Sequence, residues 1–329
     1  MNSTLEKESK VAYLHKVDSQ FLDDVIKGLA SPEKYLHSKY FYDEKGDELF
    51  QKIMDCPEYY LTRCELEIFT TQTAEIASTF ASQLKEFDVV ELGAGDATKS
   101  SFLLKKLLEN NIDFTYYPVD ISKNIIRLLH NKLPAKFPFI KMHGLNGEYF
   151  QMLEKAAKLS GKPKAVLFLG SNIGNVPLAQ AEEFFTTLRS HLSPGDLVLI
   201  GFDLKKDPQV ILDAYNDKSG ITRDFNLNLL HRINDVLDGD FVIENFKHCP
   251  TYAAETGSCK SFLTSIKSQT VHIDDHTFHL AEGEKIFMEI SQKYSVSETD
   301  ALALHSGFIP IRYFYDSKHW FLDAVWECI

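Results

Sequence analysis

DVVELGAG, residues 88–95, sets the architecture of this 329-residue chain. Asp88 to Leu92 make a short, nearly continuous apolar run, which is typical of a strand buried inside a sheet. Gly93 and Gly95 then allow the backbone to bend sharply, and the pattern predicts a helix from about Thr98 to Glu109. A strand, a tight turn and a helix in this order form the first repeat of a doubly wound α/β fold.

The same alternation continues along the chain. Further strands are predicted at Asp113–Val119, Pro138–His143, Ala165–Leu169 and Asp196–Phe202, and further helices at Ser122–Leu133, Tyr149–Leu159 and Ala179–His191. Alternating strands and helices predict a mostly parallel sheet. Two last runs, Phe308–Tyr315 and His319–Glu327, flank a tight turn and predict an antiparallel hairpin.

Segments on either side of this alternation predict a second structural part. Before it, helices are expected at Ser19–Ala30, from Ser31, at Glu48–Met54 and at Arg63–Leu84, with a loop at Cys56–Arg63. After the fifth strand, an insertion over residues 205–291 predicts helices at Pro208–Tyr215 and Ile221–Leu237 and strands at Phe241–Phe246, Ser261–Ser268 and Gln269–Ile273. Because the insertion follows the carboxyl end of a strand, where α/β folds bind ligands, we expect it to cover a substrate.

Composition and charge disfavour several classes of protein. A formal charge of −12 and a pI near 5.5 argue against a nucleic-acid partner, because nucleic-acid binders carry a basic face. Residues 1–20 contain no apolar run, so neither a signal peptide nor a membrane anchor is expected. The five cysteines form no C-x-x-C pair, which fits reduced thiols. We therefore expect a soluble, cytoplasmic protein, and we predict a monomer.

Two features near the first two strands concern a ligand. Thr98 stands where dinucleotide-binding turns carry a third glycine, which disfavours a pyrophosphate cofactor. Asp120, at the end of the second strand, suits the hydroxyls of a ribose as a paired acceptor. A glycine turn and an aspartate helix cap without any ligand is the alternative interpretation.

Later loops carry further candidates. Asn146, after the third strand, could accept a hydrogen bond from an adenine amino group, although a loop asparagine without a ligand explains it equally well. The segment Gly170–Asn175 places two asparagines beside two glycines, which favours a ligand-facing loop over an ordinary turn. His272, His276 and His279 suggest a metal, but alternation on a hairpin explains them and no fourth ligand is suitably spaced, so we predict no metal. A G-x-S-x-G elbow is absent, which disfavours a serine hydrolase.

A set of ordered motifs extends from about Ser31 to Trp326. The motifs are residues 39–43 (KYFYD) with Gly46 and 49–50, 57–60 (PEYY) with 62–63, 90–93 (VELG), 168–171 (FLGS) with 173–175, Gly201 with 203–204, 214–215 with Asp217, 225–226 and 289–291 (EIS). Together they resemble the ergothioneine-pathway histidine Nα-methyltransferases.

The resemblance implies a class I S-adenosylmethionine (SAM)-dependent methyltransferase. Its fold is a Rossmann-like, mostly parallel sheet with an antiparallel C-terminal strand, joined to an α+β substrate-binding domain. We place the SAM-binding domain at residues 62–204 and 292–329, and the substrate-binding domain at 1–61 and 205–291. The implied cofactor is SAM, and the implied reaction is methylation of the α-amine of a small amino acid, L-histidine first, with the trimethyl product hercynine expected.

The motifs also imply roles for individual residues. Tyr42 is the expected catalytic residue, near the amine that receives the methyl group. The expected substrate contacts are Tyr42, Tyr59, Asn175 and Tyr215 at the amino and carboxylate ends, and Glu289 and Ser291 at the imidazole. The expected cofactor contacts are Glu91, Gly93, Gly95, Lys99, Asp120 and Asn146.

Ser261 departs from the family pattern, because a methionine that packs on the substrate ring is expected near this position. A smaller, polar residue beside Phe262 implies a wider or more polar ring pocket. Two alternatives therefore stay open: methylation of another aromatic amino acid such as tryptophan, and a protein that binds SAM or a metabolite without catalysis.

Overall fold

The computed structural model describes residues 19–329, and the chain divides into two compact units. Unit 1 comprises the chain up to Cys56, with Leu212–Tyr252 and Lys260–Glu289; unit 2 comprises Pro57–Ile211, Ala253–Cys259 and Ile290–Ile329. The domain boundaries expected from the sequence stay a prediction. None of the helices formed by residues 19–329 is long and apolar enough to cross a membrane.

The helices follow the sequence pattern in most places. Residues 19–30 form α1. The other helices are α2 (Glu44–Met54), α3 (Tyr60–Thr71), α4 (Thr73–Gln83), α5 (Ser100–Glu109), α6 (Lys123–Lys136), α7 (Tyr149–Leu159), α8 (Leu178–Ser190), α9 (Pro208–Ala214), α10 (Ile221–Leu237) and α11 (Val296–His305). Single-turn 3-10 helices lie at Ser38–Phe41, Asn172–Asn175 and Ile243–Asn245.

The strands form a large sheet and two small ones. They are β1 (Asp88–Leu92), β2 (Thr115–Asp120), β3 (Lys141–Met142), β4 (Leu145–Asn146), β5 (Lys164–Phe168), β6 (Leu197–Asp203), β7 (Phe246–Ala253), β8 (Ser258–Ser265), β9 (Gln269–Ile273), β10 (His276–Leu280), β11 (Lys285–Gln292), β12 (Phe308–Tyr315) and β13 (Phe321–Cys328). The small sheets are the hairpin of β9 and β10 and a three-stranded sheet in the order β11-β8-β7.

The large sheet belongs to unit 2 and has the order β12-β13-β6-β5-β1-β2-β3, with β4 also paired to β2. Strands β2, β1, β5 and β6 run parallel, whereas β13 is antiparallel to both β6 and β12. Every residue of β1 and β5 is buried, as expected for strands covered by helices on both faces. The expected fold class, a mostly parallel sheet with an antiparallel C-terminal strand, is confirmed.

Strand order reverses at β1. The chain moves from β1 to β2 on one side and later returns to place β5 on the other side of β1. Loops that leave adjacent strands in opposite directions open a crevice at the carboxyl ends, where α/β folds bind ligands. This topology locates the candidate site within unit 2.

Two expectations near the N-terminus were wrong. No helix starts at Ser31, because the backbone pairs elsewhere: Leu36 N donates to Phe287 O at 2.9 Å and Phe287 N donates to Lys34 O at 2.8 Å. The helix expected over Arg63–Leu84 is broken at Gln72, whose φ of −121° is not helical, and α3 starts at Tyr60 inside the expected loop.

Two strand expectations also failed. The strand expected at Pro138–His143 is reduced to β3, because the residues before it form a turn in which Ile140 N donates to Phe137 O at 3.0 Å. The strand expected at Phe241–Phe246 is a loop and a 3-10 turn. Its backbone is held by Asn234, whose side chain bonds both Phe241 N and Phe241 O, at 2.9 and 2.8 Å.

Unit 1 is organised around α10, which packs on α2. Asp43 Oδ1 caps α2 by accepting from Gly46 N at 2.7 Å, and it also accepts from Asn228 Nδ2 of α10 at 3.0 Å. The rings of Phe41 and Phe225 meet with a centroid separation of 4.8 Å. The first sequence motif therefore joins α2 to α10.

Asp323 lies in the middle of β13 and is fully buried, and neither of its carboxylate oxygens has a hydrogen-bond partner. Burial and the negative charge of nearby Glu65 raise the pKa of Asp323 well above its usual value. The unfolded chain loses this proton near pH 3.9, whereas the folded chain keeps it to higher pH. The Asp323 carboxyl therefore lowers the stability of the protein progressively as the pH rises between these two pKa values.

We expect Asp323→Asn to stabilise the protein by an amount that grows with pH. Asparagine does not titrate. The gain in the free energy of unfolding from the substitution therefore increases by up to about 1.4 kcal/mol for each pH unit until the folded-state pKa of Asp323 is reached. Urea unfolding at about pH 5.5 and about pH 8 measures this difference. The control is Asp113→Asn, because Lys141 and Lys162 lower the pKa of exposed Asp113 to about 2, so its effect is constant over this range. An equal effect of Asp323→Asn at both pH values would contradict the prediction.

Candidate active site

The glycine turn after β1 forms the centre of the unit 2 site. Gly93 has φ +72°, and a Cβ on it would lie 2.5 Å from Asn172 Nδ2, so only glycine fits. Gly95 has φ +51°, and apart from Gly95 and its two chain neighbours no atom of the described residues lies within 4 Å of the point where its Cβ would stand. The turn therefore exposes backbone to open space, which can admit a ligand.

Asp120, at the end of β2, is fixed by the same turn. Its Oδ2 accepts from Gly95 N at 3.1 Å and its Oδ1 accepts from Ser122 N at 2.9 Å. A carboxylate is an acceptor that suits the hydroxyls of a ligand. These bonds orient Asp120 beside the open glycine turn.

Asn146 pairs with Asp120 across β2 and β4. Its Nδ2 donates to the backbone carbonyls of Asp120 and Ile121, at 2.9 and 2.8 Å. Because both amide hydrogens are used in this way, the amide oxygen is the polar atom that Asn146 offers to a ligand. The geometry suits an acceptor at this edge of the sheet.

Glu91 is buried within the sheet rather than presented at its edge. Its carboxylate accepts from Tyr116 Oη on the neighbouring strand. Burial raises the pKa of Glu91 to about 7, although the hydrogen bonds from Tyr116 and Ser100 oppose that rise. Its expected contact with the cofactor stays a prediction.

Lys99, just before α5, forms an ion pair with Glu65 of α3. The same Glu65 carboxylate accepts from Gly170 N at 2.8 and 3.0 Å and is completely buried. Glu65 packs over β6 at Gly201, where a Cβ would meet Glu65 Oε1. Glu65 thus joins Lys99 to the loop after β5.

A second buried network surrounds Asp203 at the end of β6. Tyr60 Oη donates to its oxygens at 3.0 and 2.8 Å, and Lys293 Nζ lies 2.6 Å from Oδ2. Lys206 forms a second ion pair with Oδ1, and burial lowers the pKa of Lys206 although Asp203 opposes that effect. Lys293 Nζ also donates to Ser291 Oγ at 2.8 Å.

The other expected substrate contacts of unit 2 lie nearby in the chain. Tyr59, buried, directly precedes α3, and Asn175 ends the 3-10 helix after β5. That helix starts from Ser171, which has a left-handed φ of +56°. Ser171 Oγ accepts from Asp203 N at 3.2 Å, so the Asn175 loop is tied to the Asp203 network.

Unit 1 holds the remaining expected substrate contacts. The ring of Tyr42 packs edge-on against Phe50 and Phe225, each at a centroid separation of 5.8 Å. Tyr215, buried, follows α9. In β11, Glu289 Oε1 lies 3.5 Å from Asn226 Nδ2, a donor on α10.

Ser261 of β8 is also buried, and its Oγ lies 2.6 Å from His248 Nε2 on β7. Burial lowers the pKa of His248 to about 4, so this ring is neutral at physiological pH. The hydroxyl that distinguishes this chain from the expected methionine is therefore engaged by a neutral histidine of the same sheet.

The three histidines that suggested a metal do not converge. His272 Nδ1 lies 2.8 Å from Asp240 Oδ2, and His279 Nδ1 lies 3.1 Å from Thr270 Oγ1. Over residues 19–329, no group of three or more His, Cys, Asp or Glu side chains is arranged to hold a metal.

Sequence reasoning missed three residues that hold predicted site residues: Glu65, Asn226 and Lys293. Glu65 pairs with Lys99, Asn226 donates to Glu289, and Lys293 donates to Ser291. Asn226 lies within a recognised motif, and Lys293 lies two residues beyond one. Nothing in the sequence around Glu65 distinguishes it from a glutamate on an exposed helix face.

Comparison with known proteins identifies the family to which the chain is similar. The family model for histidine-specific, SAM-dependent methyltransferases matches residues 21–328. A histidine N-alpha-methyltransferase of Mycolicibacterium smegmatis is 32% identical over 302 residues, which cover 91% of this chain and 90% of that protein. Its counterpart in Mycobacterium tuberculosis is 31% identical over 295 residues, 89% of this chain and 90% of that protein.

A fungal relative matches over a smaller share of its length. Ergothioneine biosynthesis protein 1 of Neurospora crassa is 33% identical over 275 residues, which cover 81% of this chain but 30% of that protein. The family model covers the sheet, the glycine turn and the insertion alike. The chain belongs to the family of histidine-specific, SAM-dependent methyltransferases.

Proposed function

We propose that this enzyme transfers methyl groups from SAM to the α-amine of L-histidine, in repeated steps that lead to the trimethyl product. The observation that carries the proposal is the open glycine turn with Asp120 at the point where strand order reverses, in a chain of the histidine-specific family. The names of the mycobacterial relatives, each a histidine N-alpha-methyltransferase, support the choice of amine and of amino acid.

Each cofactor contact has a chemical task in the proposal. Gly93 and Gly95 let the backbone approach the ligand, Asp120 accepts from the ribose hydroxyls, and Asn146 accepts from the adenine amino group. Lys99 supplies a cation for the carboxylate of the methionine part. Glu65 supports this role, because the buried carboxylate fixes the Lys99 ammonium group.

The proposed chemistry needs alignment rather than a covalent intermediate. SAM supplies a methyl group already activated on a sulfonium. The protein contributes by holding the amine in line with that methyl group at about 3 Å, which lowers the barrier by several kcal/mol. The amine must first lose its ammonium proton, and Tyr42 and water are the proposed route.

Imidazole recognition would fall to Glu289 and Ser291. Two residues apart on β11, they project to the same face of the strand. A carboxylate and a hydroxyl suit the two nitrogens of an imidazole, which a plain aromatic ring lacks. Tyr59, Asn175 and Tyr215 are proposed to hold the carboxylate and amino ends.

Mass spectrometry of the protein incubated with SAM and single amino acids tests the function. We expect histidine to gain one, two and three methyl groups, and tryptophan and tyrosine to gain none. Methylation of tryptophan or tyrosine instead would keep the reaction class and overturn the substrate. Absence of any methylated product, with SAM bound, would favour a binding protein without catalysis.

Asp120→Asn tests the cofactor contact. Loss of one charged acceptor is expected to weaken binding of SAM and of S-adenosylhomocysteine about 10- to 100-fold, the effect of a hydrogen bond to a charged group. Asp113→Asn, close to the other end of β2 and exposed, is the matched control and should bind normally. Calorimetric titration with S-adenosylhomocysteine measures both, and equal affinities in the two variants would refute this role.

Glu289→Gln tests the ring contact. The substitution keeps the shape of the side chain but removes its charge, so we expect the KM for histidine to rise about tenfold or more while the affinity for SAM stays unchanged. Glu282→Gln, in the exposed turn before β11, is the control. Steady-state kinetics measure the change, and an unaltered KM in Glu289→Gln would remove this residue from the site.

The expected cytoplasmic location, the monomeric state and the absence of a nucleic-acid partner stay predictions.

A further inference from the structure

Lys293 is a buried lysine to which the proposed reaction assigns no role. Its side chain has 0% exposure, as does that of its ion-pair partner Asp203. Burial of a lysine carries a desolvation cost of several kcal/mol even when the ammonium is paired. A well-packed apolar residue would avoid that cost, so a buried lysine beside a predicted substrate contact calls for a functional explanation.

Lys293 Nζ lies 2.6 Å from Asp203 Oδ2 and 2.8 Å from Ser291 Oγ. An ammonium group can only donate hydrogen bonds. Ser291 Oγ must therefore accept from Lys293, which uses one of its lone pairs and turns the hydroxyl proton away from the ammonium. The ammonium charge also makes the Ser291 hydroxyl a stronger donor.

We propose that Lys293 is a positioning residue that sets Ser291 as a hydrogen-bond donor to the substrate ring. The ring nitrogen opposite Ser291 must then be an unprotonated acceptor, so the site takes a neutral imidazole and disfavours both an imidazolium and a ring without nitrogen. This inference rests on the proposed function and adds the protonation state of the substrate and the residue that selects it.

The surroundings of Asp203 support the separate role of Lys293. Tyr60 Oη and Lys206 also bind the Asp203 carboxylate, so that group does not need Lys293 to avoid being buried without a partner. Removal of Lys293 leaves Asp203 with a cation and a hydroxyl donor. Ser291, in contrast, loses the cation that orients its hydroxyl.

The experiment compares Lys293→Met, Ser291→Ala and the double variant. Methionine is similar in length to lysine and donates no hydrogen bond. We expect each single variant to raise the KM for histidine about tenfold, which corresponds to one hydrogen bond of about 1.4 kcal/mol. The kcat and the affinity for S-adenosylhomocysteine should change little. The double variant should be no worse than either single one, because both remove the same interaction.

A substrate analogue with a different ring tests the same contact through substrate preference. Thienylalanine has a five-membered ring with no nitrogen, so wild-type enzyme should prefer histidine strongly. Lys293→Met and Ser291→Ala should lose about tenfold of that preference. Lys293→Gln keeps an N–H donor for Ser291 and should retain most of it, which a merely structural lysine would not predict.

Lys164→Met is the matched control. Lys164 is a second buried lysine of unit 2, with Nζ 3.9 Å from Asp88 Oδ2 and bonded to the carbonyl of Ser160 at 3.0 Å. It starts β5, at the other end of the strand from the candidate site. Its replacement is expected to lower the melting temperature and leave the KM for histidine unchanged.

Several results would overturn the inference. One is a double variant in which the factor of increase in the KM for histidine equals the product of the factors in the two single variants. Another is an unchanged KM in Ser291→Ala, which decides the question even if Lys293→Met does not fold. A Lys293→Met variant that loses affinity for S-adenosylhomocysteine and histidine equally would also reject it. Failure of the proposed function is distinct, because wild-type enzyme would then not methylate histidine.

Discussion

The constraint on which the site depends is the burial of charge at the carboxyl edge of a fully covered sheet. Strands β1, β5 and β6 are buried throughout their length, so any carboxylate at their ends is separated from water and needs a partner. Glu65 and Asp203 are completely buried there. Lys99 pairs with Glu65, and Lys206 and Lys293 pair with Asp203. Lys99 is itself a predicted cofactor contact, and Lys293 donates to Ser291, a predicted substrate contact.

The ion pairs of Glu65 and Asp203 fix the positions of side chains more than they stabilise the fold. Taking two charges out of water costs about as much as their attraction returns, and apolar replacements are often neutral or stabilising. Asp323 illustrates the cost, because it is buried without a hydrogen-bond partner and its pKa is raised by burial. The Glu65 carboxylate fixes the Lys99 ammonium beside the loop after β5. The Asp203 carboxylate fixes Lys293.

The sequence predicted the sheet well because buried parallel strands are uniformly apolar, and the turn after β1 needed two glycines. It failed where a distant partner decides the local structure. Ser31 has the features of a helix start, but the residues after it bond to Phe287, more than 250 positions away. The motifs likewise included Ser291, Glu289 and Asn226, but they did not indicate that Asn226 donates to Glu289 or that Lys293 is buried against Ser291. Glu65 packs at a position where residue 201, a glycine, has no side chain.

Repeated methylation, as proposed, would make the residues that support the predicted substrate contacts important. Each transferred methyl group removes one N–H from the amine, and a trimethylammonium has no N–H left to donate. A site that recognised its substrate mainly through the amine would lose contacts with every step, while the carboxylate and the imidazole stay chemically unchanged. Binding energy for the later steps must then come from those two ends. The proposed ring contacts would therefore need rigid support, and Lys293 and Asn226, which donate to Ser291 and Glu289, are placed to give it.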